Sequence, residues 1–398
     1  MAHVRLPLTS KDYILKHVVT EPLLNNCPKC KDYVIEALHL YLLKSDEIFA
    51  MPHNIRTKPR QSGGSHKIIL VVARKELNGK QLDSSEWYDP KINQWQTGPK
   101  MITPRCSGGL AVVKDNFVLY IGGCNQFYSS LRSADLIDLS SESLSWKPTT
   151  NMLVQRKWLG VGVINNFVYA VGGYDYNRWP LKSAEVFDCR TQEWHMVASM
   201  SIERHSFGVG VLNNILYAVG GSNSVHKLNS VECYHPGLDK WTPVEEMSVR
   251  RSGVGVGVLH DVLYAVGGWD GNQVCSSVEA YSPSTGVWTN IPDMHLCRSS
   301  AGVAVLDGLL YVIEGWDGTS YLDSVESYNP KTNKWTMVTA SMKIARNFVE
   351  VVVIERPRHL KKWNQSCFSF LIKYINIYSI ISFCTIVSLF FFYLFSSF

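Results

Sequence analysis

The sequence predicts an all-β fold, a six-bladed propeller, set between a short α-helical segment and a hydrophobic tail. Three observations predict it. A Met-x3-Arg signature recurs at Met101/Arg105, Met152/Arg156, Met200/Arg204, Met247/Arg251, Met294/Arg298 and Met342/Arg346, with Arg-to-Arg steps of 51, 48, 47, 47 and 48 residues. A Tyr or Phe stands seven residues before a Trp at Tyr88/Trp95, Phe187/Trp194, Tyr234/Trp241, Tyr281/Trp288 and Tyr328/Trp335, with Asp138 before Trp146 in the second unit. Double glycines close an apolar run at Gly122-Gly123, Gly172-Gly173, Gly220-Gly221 and Gly267-Gly268. Self-similarity at a fixed period marks a repeat architecture.

Each unit reads as four strands. Gly253 to Leu259 alternates glycine with valine, so one strand face carries no side chain and neighbouring backbones can approach. Val262 to Val266 follows, then the glycine pair, where a positive φ or close packing demands glycine. Ser277 to Tyr281 is the third strand and Val287 to Thr289 a short fourth. Four such strands make one propeller blade. A blade cannot bury both faces alone, so neighbours must stack and the ring must close.

The ends of the array fit together. The first unit, from Lys67, has three strands and lacks the Met-x3-Arg strand; the last such strand, Arg346 to Ile354, has nothing after it. The C-terminal strand is expected to complete the first blade, a clasp that removes an open sheet edge. The expected boundaries are 1–60 helical, 61–66 linker, 67–354 propeller, 355–366 basic linker and 367–398 apolar tail.

Composition excludes several classes. With 39 Lys+Arg against 34 Asp+Glu, the net charge of +5 is too small for a nucleic-acid binder. Hydrophobic residues at 46% and aromatics at 12% exclude a disordered chain. Met1 to Pro7 has no basic start and apolar run, so no signal peptide is expected. Ten cysteines scattered along the chain suit a reducing compartment better than a disulfide framework.

Catalytic motifs are weak. The Gly160/Gly162, Gly208/Gly210 and Gly255/Gly257 pairs lack the third glycine of a dinucleotide fingerprint, that position holding Asn165, Asn213 or His260. Cys27-Pro28-Lys29-Cys30 has zinc or redox spacing but no second pair. Neither G-x-S-x-G nor H-E-x-x-H occurs. The expectation is a non-catalytic binding protein without metal or cofactor.

The glycine pairs, the acidic residues 11 or 12 positions after them (Asp135, Glu185, Glu232, Glu279, Glu326) and the aromatic-x6-Trp pairs resemble the kelch repeats of the BTB–BACK–kelch, or kelch-like, family. Val4-Arg5-Leu6-Pro7-Leu8, Cys30-Lys31-Asp32-Tyr33 with Ile35-Glu36-Ala37, and Arg56-Thr57-Lys58-Pro59-Arg60 look like the end of that family's BACK helical domain and its link to the propeller. The likeness is greatest to the ring canal kelch group. It implies a cytoplasmic substrate adaptor of a cullin-3 RING ubiquitin ligase, or an actin-binding cytoskeletal scaffold. No BTB segment precedes the BACK-like residues, so Met1 is expected to mark a truncated product or an incomplete gene.

The departures from the pattern are local. Ala73-Arg74 and Glu314-Gly315 replace glycine pairs, and Glu350 stands where the other units carry Gly109, Gly160, Gly208, Gly255 and Gly302. A carboxylate on an innermost strand is costly if buried without a partner. The seam between the first and last blades is therefore expected to be weak.

The arginine series has two readings: a structural one, bonding carbonyls between blades, and a recognition one, binding carboxylates of a partner at the channel mouth. The resemblance implies that this face takes substrate peptides, often acidic ones. Candidate contact residues are Arg105, Arg156, Arg204, Arg251, Arg298 and Arg346, with recognition favoured where a polar group adjoins, at His205, Arg250 and Ser252. The loops after the glycine pairs are unlike one another and rich in aromatics: Tyr128, Tyr176, Trp179, Trp269, Trp316 and Tyr321. A constant scaffold with variable loops marks a binding surface.

Residues 374–398 are 25 residues without a charge, enough to span a bilayer, and the basic flank of Arg356, Arg358, Lys361 and Lys362 would keep the propeller cytosolic. Residues 367–398 hold eight Phe, six Ile and six Ser but no Gly, Ala or Pro, which spanning helices use for contacts. A membrane anchor and translated non-coding sequence are both readings of this tail.

Overall fold

The computed structural model describes residues 66–72, 83–177, 179–340 and 349–357, together with helical Asp32, Val34 and Ile35. The rest of the helical segment, Ala73-Arg74, Arg346 and the tail with its two readings lie outside the described residues. Among the described residues, no helix is long and apolar enough to cross a membrane.

Strands form because short runs rich in Val, Ile, Leu and Tyr alternate with turn residues. They assemble into six four-stranded antiparallel sheets, each in simple meander order except the first. The innermost strands are Gly109–Val113, Gly160–Ile164, Gly208–Leu212, Gly255–Leu259, Gly302–Leu306 and Glu350–Glu355, each packing on the next and the last on the first. The chain is a closed six-bladed β-propeller.

The first blade is the expected clasp. Glu350–Glu355 pairs antiparallel along all of Lys67–Val72, from Lys67 opposite Glu355 to Val72 opposite Glu350. The run Ile68 to Val72 is buried on both faces.

Blades stack with one polarity. A Cβ on Gly302 would stand 2.5 Å from Cγ1 of Val351, and Gly109 faces Val161 in the same way. The bare glycine face of one inner strand thus receives valine from the next blade. The positions that break the dinucleotide fingerprint sit in hairpin turns: Asn213-Asn214 and His260-Asp261 have φ of 53° and 59°, 51° and 59°. Such turns need a positive φ at both central residues, which Asn and Asp tolerate.

The aromatic pairs lie directly cross-strand, Tyr234 opposite Trp241 with ring centroids 5.1 Å apart. The Trp of every blade but the second also reaches back one blade: Trp194 Nε1 donates to Thr150 O at 3.1 Å, Trp241 Nε1 to Ala198 O at 2.8 Å and Trp335 Nε1 to Pro292 O at 2.7 Å. In the second blade the residue opposite Trp146 is Ile137, not Asp138, because the turn there is longer. The Nε1 of Trp146 is buried without a hydrogen-bond partner.

Glu350 marks a different seam from the expected one. Inner-strand glycines face the following blade, so Glu350 faces the second blade and not the sixth. Burial pushes its carboxyl up to about 8, with Cys106 of the second blade adding to the shift. The same carboxyl acts on Tyr120 of that blade. Glu350, and Trp146 with its orphaned Nε1, are two departures from the repeat on the described parts of blades one and two.

Leu139–Ser143 and the described Arg356-Pro357 form a separate unit. In it Ser141 Oγ donates to Ser143 O at 3.1 Å.

Candidate functional site

The two loop sets converge on one end of the ring. Isolated bridges pair Cys106 with Cys124, Lys157 with Tyr174, His205 with Ser222, Ser252 with Trp269 and Ser299 with Trp316. The residue after each arginine therefore lies opposite the residue after each glycine pair. This end is the mouth.

The arginines lie beneath it, inside the blades. Arg156, Arg204 and Arg251 have no exposed surface, and Arg105 and Arg298 have 3% and 1%. Each guanidinium holds the acidic residue of its own blade: Arg105 to Asp135 at 2.6 Å, Arg156 to Glu185 at 2.8 Å, Arg204 to Glu232 at 3.0 Å, Arg251 to Glu279 at 3.1 Å and Arg298 to Glu326 at 3.1 Å. Further donors are used within the blade. Arg251 Nη1 donates to Gly267 O at 2.7 Å and Ser277 O at 2.8 Å, and Nη2 to Ser277 Oγ at 2.9 Å. The carboxylate's second oxygen accepts from the loop, Ser248 N to Glu279 Oε2 at 2.7 Å. Burial lowers the pKa of Arg156, Arg204 and Arg298 and the partner carboxylates oppose it.

The recognition reading of Arg105, Arg156, Arg204, Arg251 and Arg298 is thus corrected. A guanidinium buried within its blade and paired to that blade's carboxylate has no surface to offer a partner's carboxylate. Arg346 lies outside the described residues. The two periodic series, arginine and acid, are each other's partners, which their separate spacings in the sequence did not disclose.

Arginine also joins blades through its backbone. Gly123 N donates to Arg156 O, Gly173 N to Arg204 O, Gly221 N to Arg251 O and Gly268 N to Arg298 O, at 2.7–2.8 Å. The second residue after each arginine builds a collar around the mouth. Trp158 N donates to Ser107 O, Ser206 N to Trp158 O, Gly253 N to Ser206 O and Ser300 N to Gly253 O. All five collar residues have φ between 51° and 66°.

Above the collar stands the aromatic rim. Phe127 is 74% exposed, Tyr128 44%, Tyr176 66%, Trp179 69%, Val225 77% and Trp269 38%. Trp316 and Tyr321 are half-buried and bridge each other. Arg250 is exposed, whereas Ser252 is buried in its bridge to Trp269. The loops are fixed by their own aspartates. Asp270 Oδ1 accepts from Asn272 N at 2.6 Å and Gln273 N at 2.8 Å, and Asp317 Oδ1 accepts from Thr319 N and Ser320 N at 2.7 Å. These amides hold Asp317 down to about 2, so it remains charged.

Sequence reasoning missed a pocket between blades two and three. Tyr128, Lys157, Trp158 and Tyr174 line a cavity of about 300 Å³. Lys157 Nζ donates to Tyr128 O at 2.6 Å and lies 5.0 Å from the Trp158 ring centroid, a cation–π distance. Tyr174 packs on His205 at 4.3 Å and its hydroxyl meets Ser224 Oγ. Burial, aided by Lys227, pulls His205 down to about 4, so its ring is neutral. The signal was in the sequence: Lys157-Trp158 fills positions held by Ser252-Gly253 and Ser299-Ser300 in other blades. Among the described residues, no cluster of His, Cys, Asp and Glu could hold a metal ion.

Comparison with known proteins agrees with the repeat. The Kelch motif matches residues 159–201, 203–248, 250–295 and 297–341. Kelch-like protein 24 of Homo sapiens is 30% identical over 190 residues, covering 47% of this chain and 30% of that protein. Kelch-like protein 3 of Homo sapiens is 40% identical over 125 residues, covering 31% of this chain and 21% of its own length. Kelch-like protein 2 of Rattus norvegicus is 41% identical over 125 residues, 31% of this chain and 20% of its own. The chain spans less than a third of the length of these curated relatives.

Proposed function

We propose that this kelch-motif chain, homologous over its repeat region to the Kelch-like proteins, is a non-catalytic recognition module that holds another protein at the propeller mouth. One observation carries the reading: exposed aromatic side chains gather on one rim of a closed ring, on loops held by their own hydrogen bonds. Rigid aromatic anchors give contact area at little cost in conformational entropy. Serving as the substrate-binding part of a cullin-3 ubiquitin ligase is the fuller form of the proposal, and binding actin as a scaffold is its rival.

The test compares the full chain with the variant Tyr176→Ala/Trp179→Ala/Trp269→Ala. Quantitative affinity capture is expected to lose the specific partners at unchanged melting temperature. Retention of every partner by the triple variant contradicts the reading. Cosedimentation with purified F-actin, abolished by the same variant, would support the scaffold in place of the adaptor.

A further inference from the structure

Cys106 and Cys124 are cross-strand partners at the mouth edge of the second blade. Cys106 N donates to Cys124 O at 3.2 Å, and Cys124 N donates back to Cys106 O at 2.8 Å. Their Sγ atoms are 3.6 Å apart and both residues are 1% exposed. Partners that exchange both backbone hydrogen bonds have Cα atoms about 5.5 Å apart, within the range a disulfide spans. Only the sulfurs need to approach, by about 1.5 Å, to reach bonding distance. Among the described thiols, which include Cys189, Cys233, Cys275 and Cys297, this is the one sulfur–sulfur contact.

The pair sits where a change in its bonding is felt. Cys106 precedes Ser107, whose carbonyl accepts the Trp158 amide in the collar. Cys124 opens the loop that carries Tyr128, whose carbonyl accepts Lys157 Nζ. Trp158, Lys157 and Tyr128 are three of the four residues lining the pocket.

We propose that Cys106 and Cys124 are a redox-convertible dithiol, a modification site whose oxidation to a disulfide reshapes the mouth pocket. The second half of this statement rests on the recognition reading above; the first does not. The oxidant is a low-molecular-weight disulfide such as oxidised glutathione. One protein thiolate attacks a glutathione sulfur and expels one glutathione thiolate. The second protein thiol then displaces the other glutathione from the mixed disulfide. Two protein S–H bonds and one glutathione S–S bond break; one protein S–S bond and two glutathione S–H bonds form. The protein gives up two electrons and two protons, and the small disulfide takes them. Burial of both thiols makes the exchange slow, because the loop must open first.

The test equilibrates the full chain in glutathione buffers of stepped potential, then alkylates free thiols and digests the product. Mass spectrometry is expected to find the Cys106 peptide joined to the Cys124 peptide, two hydrogens lighter than the thiol pair. That species should be absent from Cys106→Ser and from Cys124→Ser. Complete alkylation of both thiols at every potential overturns the proposal, as does glutathione left on either cysteine or a bond from either to Cys297. A changed tryptophan fluorescence on oxidation, lost in Cys124→Ser, supports the link to the pocket; a disulfide that leaves fluorescence and partner capture unaltered overturns that link while keeping the site.

Discussion

Arg251 and Glu279 hold each other inside the fifth blade, Nη2 to Oε1 at 3.1 Å, with 0% and 1% of their side chains exposed. Breaking a buried ion pair from one side leaves the other charge stranded, at about 3–5 kcal/mol. Arg251→Ala is therefore expected to lose that much in denaturant unfolding. Glu279→Gln should lose less, since an amide still accepts from the guanidinium.

The same arginine fixes a backbone junction. Gly220 has φ of +63°, and a Cβ there would stand 2.7 Å from Arg251 O and 3.1 Å from Met247 Cε. Gly220→Ala combines left-handed strain with a clash and is expected to cost at least ~1–3 kcal/mol. Gly237, with nothing within 4 Å of a Cβ, is the control: Gly237→Ala should leave the melting temperature unchanged.

Glu350 gives the fold a pH dependence with a definite sign. Its carboxyl is pushed up to about 8 from 4.5. Between these values the native chain binds a proton that the unfolded chain has released. Its contribution therefore favours folding most below about 4.5 and weakens as pH rises through 8. Glu350→Gln should raise the melting temperature more at pH 8.5 than at pH 5. An equal effect at both values would show that the carboxyl titrates normally.

The rim makes the opposite demand on stability. Trp179 and Tyr176 are 69% and 66% exposed, and truncating exposed side chains costs the fold little. Where such residues anchor a partner, each truncation costs about 2 kcal/mol or more of binding. Trp179→Ala and Tyr176→Ala are expected to weaken partner binding at least tenfold in calorimetric titration, with coincident unfolding curves.

The ring, its clasp and its blade count were legible because each glycine, Trp and Met-x3-Arg recurs in register along the chain. The role of the arginines was not. Arg251 and Glu279 belong to separate motifs, and spacing along the chain does not say which strand ends face each other. The blade that Glu350 faces was hidden for the same reason: Glu350 stood out in the sequence, but only the stacking polarity, Gly302 toward Val351, shows which blade it meets. Ile137 opposite Trp146 depends on a turn length that the aromatic spacing could not supply.

The central claim is a division of labour, arginines within the blades and aromatics at the mouth. Parallel measurement of melting temperature and partner affinity in Arg251→Ala and in Tyr176→Ala/Trp179→Ala/Trp269→Ala tests it most directly. The account predicts that the arginine variant melts markedly earlier, while the aromatic variant keeps its melting temperature and loses its partner. An arginine variant that melts normally and fails to bind, beside an aromatic variant that binds as before, would contradict it.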